Sequence, residues 1–354
     1  MTAGQSLSDG AAGVALLHLE NGNLRAAHEA LHLAVDGGVS IAAGASLFYG
    51  APALAFVLAA SDHPSLTHAR DIVADGTSTV TRHRLHDAHR RIDAGRRPHF
   101  AEYDLIRGLT GLGVVLRRLG HHDLLRDVLD YLVRLTEPFD GLPGWWCTNS
   151  PDCHQPPPAG GHANHGIAHG ITGPLALLAL TQIDGITVDG HTDAITRILR
   201  WLDMWQQTAW WPQTVTLTDL NHGIPAPRRP PRPSWCYGTP GITRAQQLAA
   251  RATDDRTRQH LAETAFSHAI NDPRHLRQLT DRGLCHGTAG ALTTGRRIAA
   301  DALTPISLAP LVSLHKRTLA TKNSAAGFLD GTAGTSLADA ASTLTSWDAC
   351  LLIN

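Results

Sequence analysis

The chain has 354 residues, of which 43% are hydrophobic and 17% are charged, and its formal net charge is −1. This composition excludes a disordered protein, and a chain of this length can form one large or two medium domains. The near-zero net charge argues against a nucleic acid or an anionic membrane surface as the partner.

The amino-terminal residues 1–10 have neither the positive charge nor the apolar segment of a signal peptide. No apolar run approaches the about 20 residues that a membrane span requires. We therefore expect a cytoplasmic protein without a membrane span, whose thiols stay reduced. The chain has 5 cysteines, and an odd number in a reduced compartment points to metal or thiol chemistry rather than disulfides.

A short element recurs along the chain: a turn of the form Gly-x-x-Gly, or a close variant, that leads into an apolar helical stretch. The copies are separated by 40 to 68 residues and begin at Gly10, Gly50, Gly108, Gly170, Gly238, Gly287 and Gly331. The second copy departs from the pattern, because Ala53 stands where the second glycine is expected. Each interval has room for two helices and their loops.

The spacing of apolar residues predicts a pair of helices after the first, third and fourth turns. These pairs lie at 14–19 and 24–35, at 112–119 and 123–136, and at 174–180 and 192–205. Strand patterns are scarce, so we predict an all-α fold of seven helical hairpins. Such hairpins must stack to bury their apolar faces, either as an open solenoid or as a closed ring of inner and outer helices. Because repeats reach from one end of 1–354 to the other, we favour closure into one domain.

Two long loops interrupt the repeats. The first, 138–169, contains Trp145, Trp146, three consecutive prolines and several histidines, and the second runs from 214 to 234. Long irregular loops in a compact domain are usually functional or disordered. We expect the first loop to be mobile and near the functional site, and its tryptophans to pack rather than to contact a peptide.

The main chemical signal is a pair of cysteines before two of the repeat glycines. Cys236 and Cys285 occupy the same place in their repeats, and His286 follows the second. In a ring, equivalent repeat positions converge on one end. Two thiolates and one imidazole are a known ligand set for catalytic zinc, with the fourth position open. Free cysteines are often small core residues instead, but the matched positions and the adjacent histidine favour the metal.

Several motifs together resemble those of the lanthionine synthetase C-like (LanC) family. Trp-Cys-Tyr-Gly-x-Pro-Gly at 235–241 and Leu-Cys-His-Gly-x-x-Gly at 284–290 look like its zinc motifs. Ala-His-Gly-x-x-Gly at 168–173, Tyr-Asp-x-Ile-x-Gly at 103–108 and Phe-Leu-Asp-Gly at 328–331 resemble three further motifs. The resemblance implies a closed α/α toroid of seven inner and seven outer helices, in agreement with the repeat count.

The resemblance also implies an activity, that of a lanthipeptide cyclase. Such an enzyme uses Zn2+, here held by Cys236, Cys285 and His286, to add peptide cysteine thiolates to dehydroalanine or dehydrobutyrine. The products are lanthionine and methyllanthionine thioether rings. The expected partner is a dehydrated precursor peptide with leader and core, and a separate dehydratase would prepare it.

Four residues are catalytic candidates by the same resemblance. His169 would act as acid or base, since its pKa lies near working pH. Asp104 would orient His169 or help to accept the thiol proton, although it could merely cap a helix. Arg232 would bind developing enolate charge, unless its Pro/Arg-rich stretch is a solvated loop or a polyproline-type ligand. Tyr237 would be a polar neighbour of the zinc, or simply pack.

A second metal cluster is the weaker interpretation of the first long loop. Cys147, Cys153 and His154 lie there at a spacing that matches no common site, and His162 and His165 share the loop. None belongs to the resembling motifs, so we predict one metal ion, not two.

Three other functions remain open at this point. A protein prenyltransferase also activates a peptide thiol with zinc, but its ligand set includes an aspartate. An α/α-barrel glycosidase could use Glu102 and Asp104, although residues two apart rarely face each other across a substrate. The third is a non-catalytic peptide-binding scaffold with a structural zinc, which would have no use for an acid or base such as His169.

Overall fold

The computed structural model describes residues 3–150, 155–224, 229–318, 326–340 and 343–354, and these are mostly helical. The α-helices are, in chain order, α1 (Ala11–Glu20), α2 (Leu24–Val35), α3 (Ala51–Leu58), α4 (Thr67–Asp93), α5 (Phe100–Tyr103), α6 (Leu109–Leu119), α7 (His122–Leu135), α8 (Thr172–Ile183), α9 (His191–Trp205), α10 (Leu217–His222), α11 (Thr239–Ala252), α12 (Arg256–Asn271), α13 (Pro273–Leu276), α14 (Thr288–Ala300), α15 (Ala309–Arg317) and α16 (Thr332–Asp339). Short 3-10 helices lie at Ala3–Gln5, Pro64–Leu66 and Trp347–Leu351. Within these described ranges, no helix combines the length and the apolar character needed to cross a membrane.

Seven helices follow the repeat turns and form an inner layer: α1, α3, α6, α8, α11, α14 and α16. Each contacts the next in this order, and α16 contacts α1. A second layer is formed by α2, α4, α7, α9, α12 and α15, which pack against α1, α3, α6, α8, α11 and α14 respectively. Burial explains the two layers. Every residue of α3 is buried, whereas the buried side chains of α7 recur every three or four residues along one face.

The predicted pairs of helices are confirmed after the first, third and fourth turns, where they are α1 and α2, α6 and α7, and α8 and α9. The prediction of seven outer helices is not met in the residues that the structure describes. After α16, the described chain forms only the 3-10 helix Trp347–Leu351. The outer layer therefore has six α-helices in the described ranges.

The fold also contains a small sheet that the all-α prediction lacked. Strand β1 (His162–Asn164) pairs antiparallel with β2 (Thr214–Thr216), and His162 lies opposite Thr216. Three residues are too few to give an alternating pattern in the sequence. The pairing joins the two long loops to each other, so neither is as irregular as the sequence indicated.

Close packing explains the second glycine of the repeated turn. In six of the seven copies, a Cβ at this position would collide with the carbonyl oxygen six residues earlier; at Gly173 it would lie 2.7 Å from the oxygen of Ile167. The second copy, which has Ala53, uses a different turn. Its first glycine, Gly50, has a φ of 77°, which a residue with a side chain rarely adopts. Glycine is therefore needed there at the first position.

The carboxy-terminal segment 343–354 packs among the inner helices. At the carboxyl end of α1, the carboxylate of Glu20 accepts hydrogen bonds from the backbone N–H groups of Leu344 and Thr345, at 2.6 and 2.8 Å. At the other end of the segment, Leu351 is buried, and its carbonyl accepts a hydrogen bond of 2.9 Å from the indole of Trp235. Because Trp235 precedes α11, the segment extends from the carboxyl ends of the inner helices to the turns at their amino ends.

We expect the ion pair between Asp348 and Arg297 to anchor this segment. Asp348 is 1% exposed and accepts two hydrogen bonds from the guanidinium, at 2.6 and 2.8 Å. Asp348→Ala should lower the free energy of unfolding by about 2 kcal/mol, as measured by urea denaturation. This is less than the full cost of breaking a buried pair, because Arg297 keeps some contact with water. Asp203→Ala, which removes an exposed pair with Arg258, should cost less than about 1 kcal/mol. Equal losses in the two variants would contradict the anchoring role.

Candidate metal centre and its acid–base neighbours

Backbone hydrogen bonds join neighbouring repeat turns at the amino ends of the inner helices. The N–H of Cys285 donates to the carbonyl of Leu329 at 3.1 Å, and that of Cys236 donates to the carbonyl of Cys285 at 3.4 Å. The series continues from Ala168 to Cys236 at 3.3 Å and from Leu105 to Ala168 at 3.1 Å. Residues that are far apart in sequence are thereby fixed side by side on one end of the inner layer.

Cys236, Cys285 and His286 meet in this row of turns. Their ligand atoms all lie within 4.8 Å of one another, and no other group of three or more such residues occurs in the described part of the chain. The Nε2 of His286 is 3.8 Å from the sulfur of Cys285. Two sulfurs and one imidazole nitrogen are donors that zinc prefers, and three protein ligands leave a fourth position open. The donor set therefore fits the zinc ion that the sequence predicts.

The two sulfurs share one proton. A hydrogen bond from the Cys285 thiol, together with donation by His286, holds the pKa of Cys236 well below its usual value. The same bond and burial raise the pKa of Cys285. The carboxylate of Asp330 and the sulfur of Cys236 raise the pKa of His286 to about 10. A thiolate, a thiol and a protonated imidazole thus lie together, and a bound metal ion would displace the protons of the thiol and the imidazole.

His169 and Asp104 form a pair beside the three metal-ligand candidates. The Nδ1–H of His169 donates to Oδ2 of Asp104 at 2.6 Å, and Asp104 is fully buried while the histidine side chain is 29% exposed. The other oxygen of Asp104 accepts a 2.7 Å hydrogen bond from the N–H of Arg107. Asp104 therefore bonds both its own turn and the imidazole of His169, and it does not cap α6, which begins after Gly108 without a side-chain cap.

Tyr237 stands next to His169, with their ring centroids 6.1 Å apart. Burial raises the pKa of Tyr237, which keeps its hydroxyl protonated. The side-chain amide of Asn164 donates to that hydroxyl oxygen at 3.4 Å, and a Cβ at Gly166 would lie 2.6 Å from the tyrosine ring. The hydroxyl is thus held by a residue of β1, and its own proton is free to be donated elsewhere.

Arg232 is connected to the turn of the metal-ligand candidates only by Asp281. One of its guanidinium nitrogens lies 3.9 Å from a carboxylate oxygen of Asp281, and the arginine side chain is 40% exposed. The other oxygen of Asp281 accepts the N–H of Gly283, in the turn that carries Cys285. The structure therefore brings Arg232 to the edge of this turn and gives it no hydrogen bond to the ligands themselves.

A repeat position that the sequence analysis did not use collects many of these residues. The residue immediately before the first glycine is half-buried or exposed in every copy, and these residues are Asp9, Tyr49, Arg107, His169, Tyr237, His286 and Asp330. Aligning the seven copies on their first glycine would have identified Asp330, which lies beside His286. Asn164 has no such signal, because it lies outside the repeated turn.

The first long loop gives no support to a second metal site in its described residues. Cys153 and His154 lie outside the described ranges. The thiol of Cys147 donates to the carbonyl of Trp145, and burial raises its pKa to about 12. His165 is buried with a pKa lowered to about 4 by desolvation, and it accepts a hydrogen bond from Trp201.

The remaining residues of this loop also have structural contacts. His162 belongs to β1 and bonds the carbonyl of Asn149 at 2.9 Å. Trp145 and Trp146 are 2% and 1% exposed, so the expectation that they pack is confirmed. Trp146 donates from its indole to the carbonyl of Gly160 at 2.8 Å. The loop is therefore held at 145–147 and 162–165 by buried side chains and by the pairing of β1, whereas 155–160 are mostly exposed.

Glu102 has no free carboxylate for a glycosidase mechanism. It accepts hydrogen bonds from Arg91 at 2.6 and 3.2 Å and from the hydroxyl of Tyr131 at 2.8 Å. Asp104 points instead to His169. The two carboxylates are committed to different structural partners, which argues against their action as a catalytic pair.

Three comparisons with known proteins each find similar proteins. The family model described as "Lanthionine synthetase C-like protein" matches residues 2–338. The chain is 25% identical over 202 residues to "Nisin biosynthesis protein NisC" of Lactococcus lactis subsp. lactis; the match covers 54% of this chain and about half of that relative, 48%. A solved structure called "Nisin cyclase" superposes with a TM-score of 0.83 at 20% identity, and the superposition covers 100% of this chain and 93% of that one. At this identity, the structural likeness shows the fold.

Proposed function

Because the chain belongs to the lanthionine synthetase C-like protein family, we propose that it is a zinc-dependent lanthipeptide cyclase. Its reaction would be the addition of a peptide cysteine to dehydroalanine or dehydrobutyrine within the same peptide. The observation that carries the proposal is the juxtaposition of two elements: the Cys236, Cys285 and His286 group, and the pair of His169 with Asp104. A thiol-binding metal and an acid–base residue are the two things that this reaction needs.

The metal would be held by the two sulfurs and by the Nε2 of His286. Bound there, zinc would supply the positive charge that lowers the pKa of a peptide cysteine thiol, as zinc does for coordinating thiols. The hydroxyl of Ser234 lies 3.4 Å from the sulfur of Cys236 and would keep this ligand oriented.

The proton balance of the reaction assigns His169 its role. The peptide thiol loses a proton, its sulfur forms a bond to the β-carbon, and the α-carbon of the resulting enolate gains a proton. One histidine can take up the first proton and deliver the second, so the peptide mass does not change. Because Asp104 holds Nδ1–H, Nε2 is the atom that exchanges the proton, and the buried carboxylate stabilises the imidazolium between the two steps.

Two further side chains would stabilise the enolate oxygen. The hydroxyl of Tyr237 is protonated and is positioned by Asn164, so it can donate to a developing negative charge. Arg232 would add positive charge at the edge of the site, after its weak contact with Asp281 is released.

We also infer that residues 1–354 form one domain, a closed toroid with seven inner helices. The contact of α16 with α1 supports closure, and a large apolar core with members from Leu7 to Ile353 supports a single domain, beside a smaller apolar cluster between α12, α14 and α15. The cytoplasm is the proposed location, because the ligand thiols must stay reduced. The partners would be a dehydrated precursor peptide and a separate dehydratase.

The rival functions fit the residues less well. A prenyltransferase site would have an aspartate among the metal ligands, and the group found here contains none. A scaffold with a structural zinc does not require a half-exposed histidine beside a buried carboxylate. We therefore retain the cyclase as the proposed function.

The test uses synthetic peptides that carry one cysteine and one dehydroalanine, separated by two to five residues. Because cyclisation leaves the mass unchanged, each reaction is treated with a thiol-alkylating reagent and analysed by mass spectrometry. We expect the enzyme to remove the alkylatable thiol faster than buffer does, for at least one spacing. Rates equal to those of buffer for the whole series, with zinc present, would contradict the proposal.

A further inference from the structure

The two ring nitrogens of His286 face different partners. Nε2 is directed to the sulfur of Cys285, at 3.8 Å, within the group of candidate ligands. Nδ1, on the opposite side of the ring, lies 3.6 Å from Oδ1 of Asp330. Asp330 is not part of the metal-ligand group. The imidazole of His286 therefore lies between the carboxylate of Asp330, near Nδ1, and the proposed metal position, near Nε2.

The position of Asp330 is built into the fold. It follows Leu329, whose carbonyl accepts the N–H groups of both Leu284 and Cys285, at 2.6 and 3.1 Å. The turn that carries the carboxylate is therefore bound to the turn that carries the ligands. Space for the carboxylate is provided by Gly283, where a Cβ would lie 2.7 Å from Oδ1 and 3.2 Å from the Cα of Asp330.

Neutral imidazole carries its proton on only one nitrogen, and the partner of that nitrogen decides which one. We propose that Asp330 is a positioning residue that accepts the Nδ1–H of His286, so that the lone pair lies on Nε2, facing the two sulfurs. The inference rests on the proposed function, because it assumes that His286 binds zinc. The 3.6 Å separation exceeds a hydrogen bond, and a small rotation of the exposed Asp330 side chain would close it. Such carboxylate–histidine contacts commonly raise metal affinity by about 10- to 100-fold.

Zinc affinity distinguishes this role from a structural one. The apparent zinc dissociation constant is measured by competition with a chromophoric chelator. Asp330→Ala should weaken binding by about 10- to 100-fold. Asp330→Asn should lose less, because an amide oxygen still accepts the Nδ1–H but carries no charge. Asp203→Asn, the same change in an exposed ion pair with Arg258, is the matched control and should bind zinc as the parent does.

A second readout, the thermal midpoint, separates the possible outcomes. The thermal midpoint of the metal-free protein should fall only slightly in Asp330→Ala, because the pair with His286 is exposed, and a fall as large as that of Asp348→Ala would assign Asp330 to folding. Equal zinc affinity in the two proteins would overturn the inference while leaving the proposed function intact. A parent that binds no zinc would instead remove the basis of the proposed function itself.

Discussion

Replacing Cys285 with alanine is expected to remove the bound zinc and to stop thioether formation. The parent should contain about one zinc ion per chain, as a three-ligand catalytic site requires, and the variant should contain little. The physical reason is that the remaining sulfur and imidazole cannot satisfy a tetrahedral ion, while the sulfur of Cys285 lies within 4.8 Å of both other ligand atoms. Metal content is measured by mass spectrometry of the purified proteins.

Cys350→Ala provides the matched control for this experiment. Cys350 is also buried, and its thiol donates to the carbonyl of Trp347, in the carboxy-terminal segment. Its removal should cost about 1 kcal/mol of stability through a small cavity and leave the zinc content unchanged. A parent without metal, or a Cys285→Ala protein that retains all its zinc, would show that these residues are not the metal site.

The second large effect is expected at His169. His169→Ala should lower kcat by about 10²- to 10⁴-fold, the usual contribution of general acid–base catalysis, and should retain its zinc. Asp104→Asn should also lower kcat, because the amide oxygen stays on the N–H of Arg107, and the NH2 group then faces Nδ1 and favours the wrong tautomer of the imidazole. Its other contact, with the N–H of Arg107, survives in the asparagine, so the turn should stay folded. Rates come from the alkylation assay with the best of the synthetic peptides.

His83→Ala is the control for the histidine change. His83 lies on α4 with 65% of its side chain exposed, and its replacement should leave kcat unchanged. A fall of less than tenfold in His169→Ala would exclude this residue as the acid–base group. Loss of zinc together with activity would mean that His169 supports the metal site rather than the proton transfers.

The structure of the carboxy-terminal segment could not be predicted from the sequence repeats. The repeat turns predict a last hairpin with an outer helix, but the described residues after α16 form only a 3-10 helix, Trp347–Leu351. Trp347 and Leu351 are buried, and the Leu351 carbonyl bonds the indole of Trp235. A segment whose apolar residues are buried among other helices has no amphipathic pattern of its own, so its path depends on cavities that only the assembled helices create.

The repeated turns, the helices that follow them and the pairing of the two cysteines with His286 could be predicted from the sequence. These signals are local. The second glycine of a turn is required because a carbonyl oxygen six residues earlier leaves no room for a Cβ, and helical spacing of apolar residues extends over only a few residues. The contact of Asp104 with His169 was expected from the resemblance, whereas those of Asn164 with Tyr237 and of Asp330 with His286 become visible only in the folded chain. Each of these pairs joins residues from different turns or loops, and their distance depends on how the backbones of neighbouring turns hydrogen-bond. The sequence pattern does not indicate which backbone groups of neighbouring turns form hydrogen bonds, because these bonds form only when the helices pack.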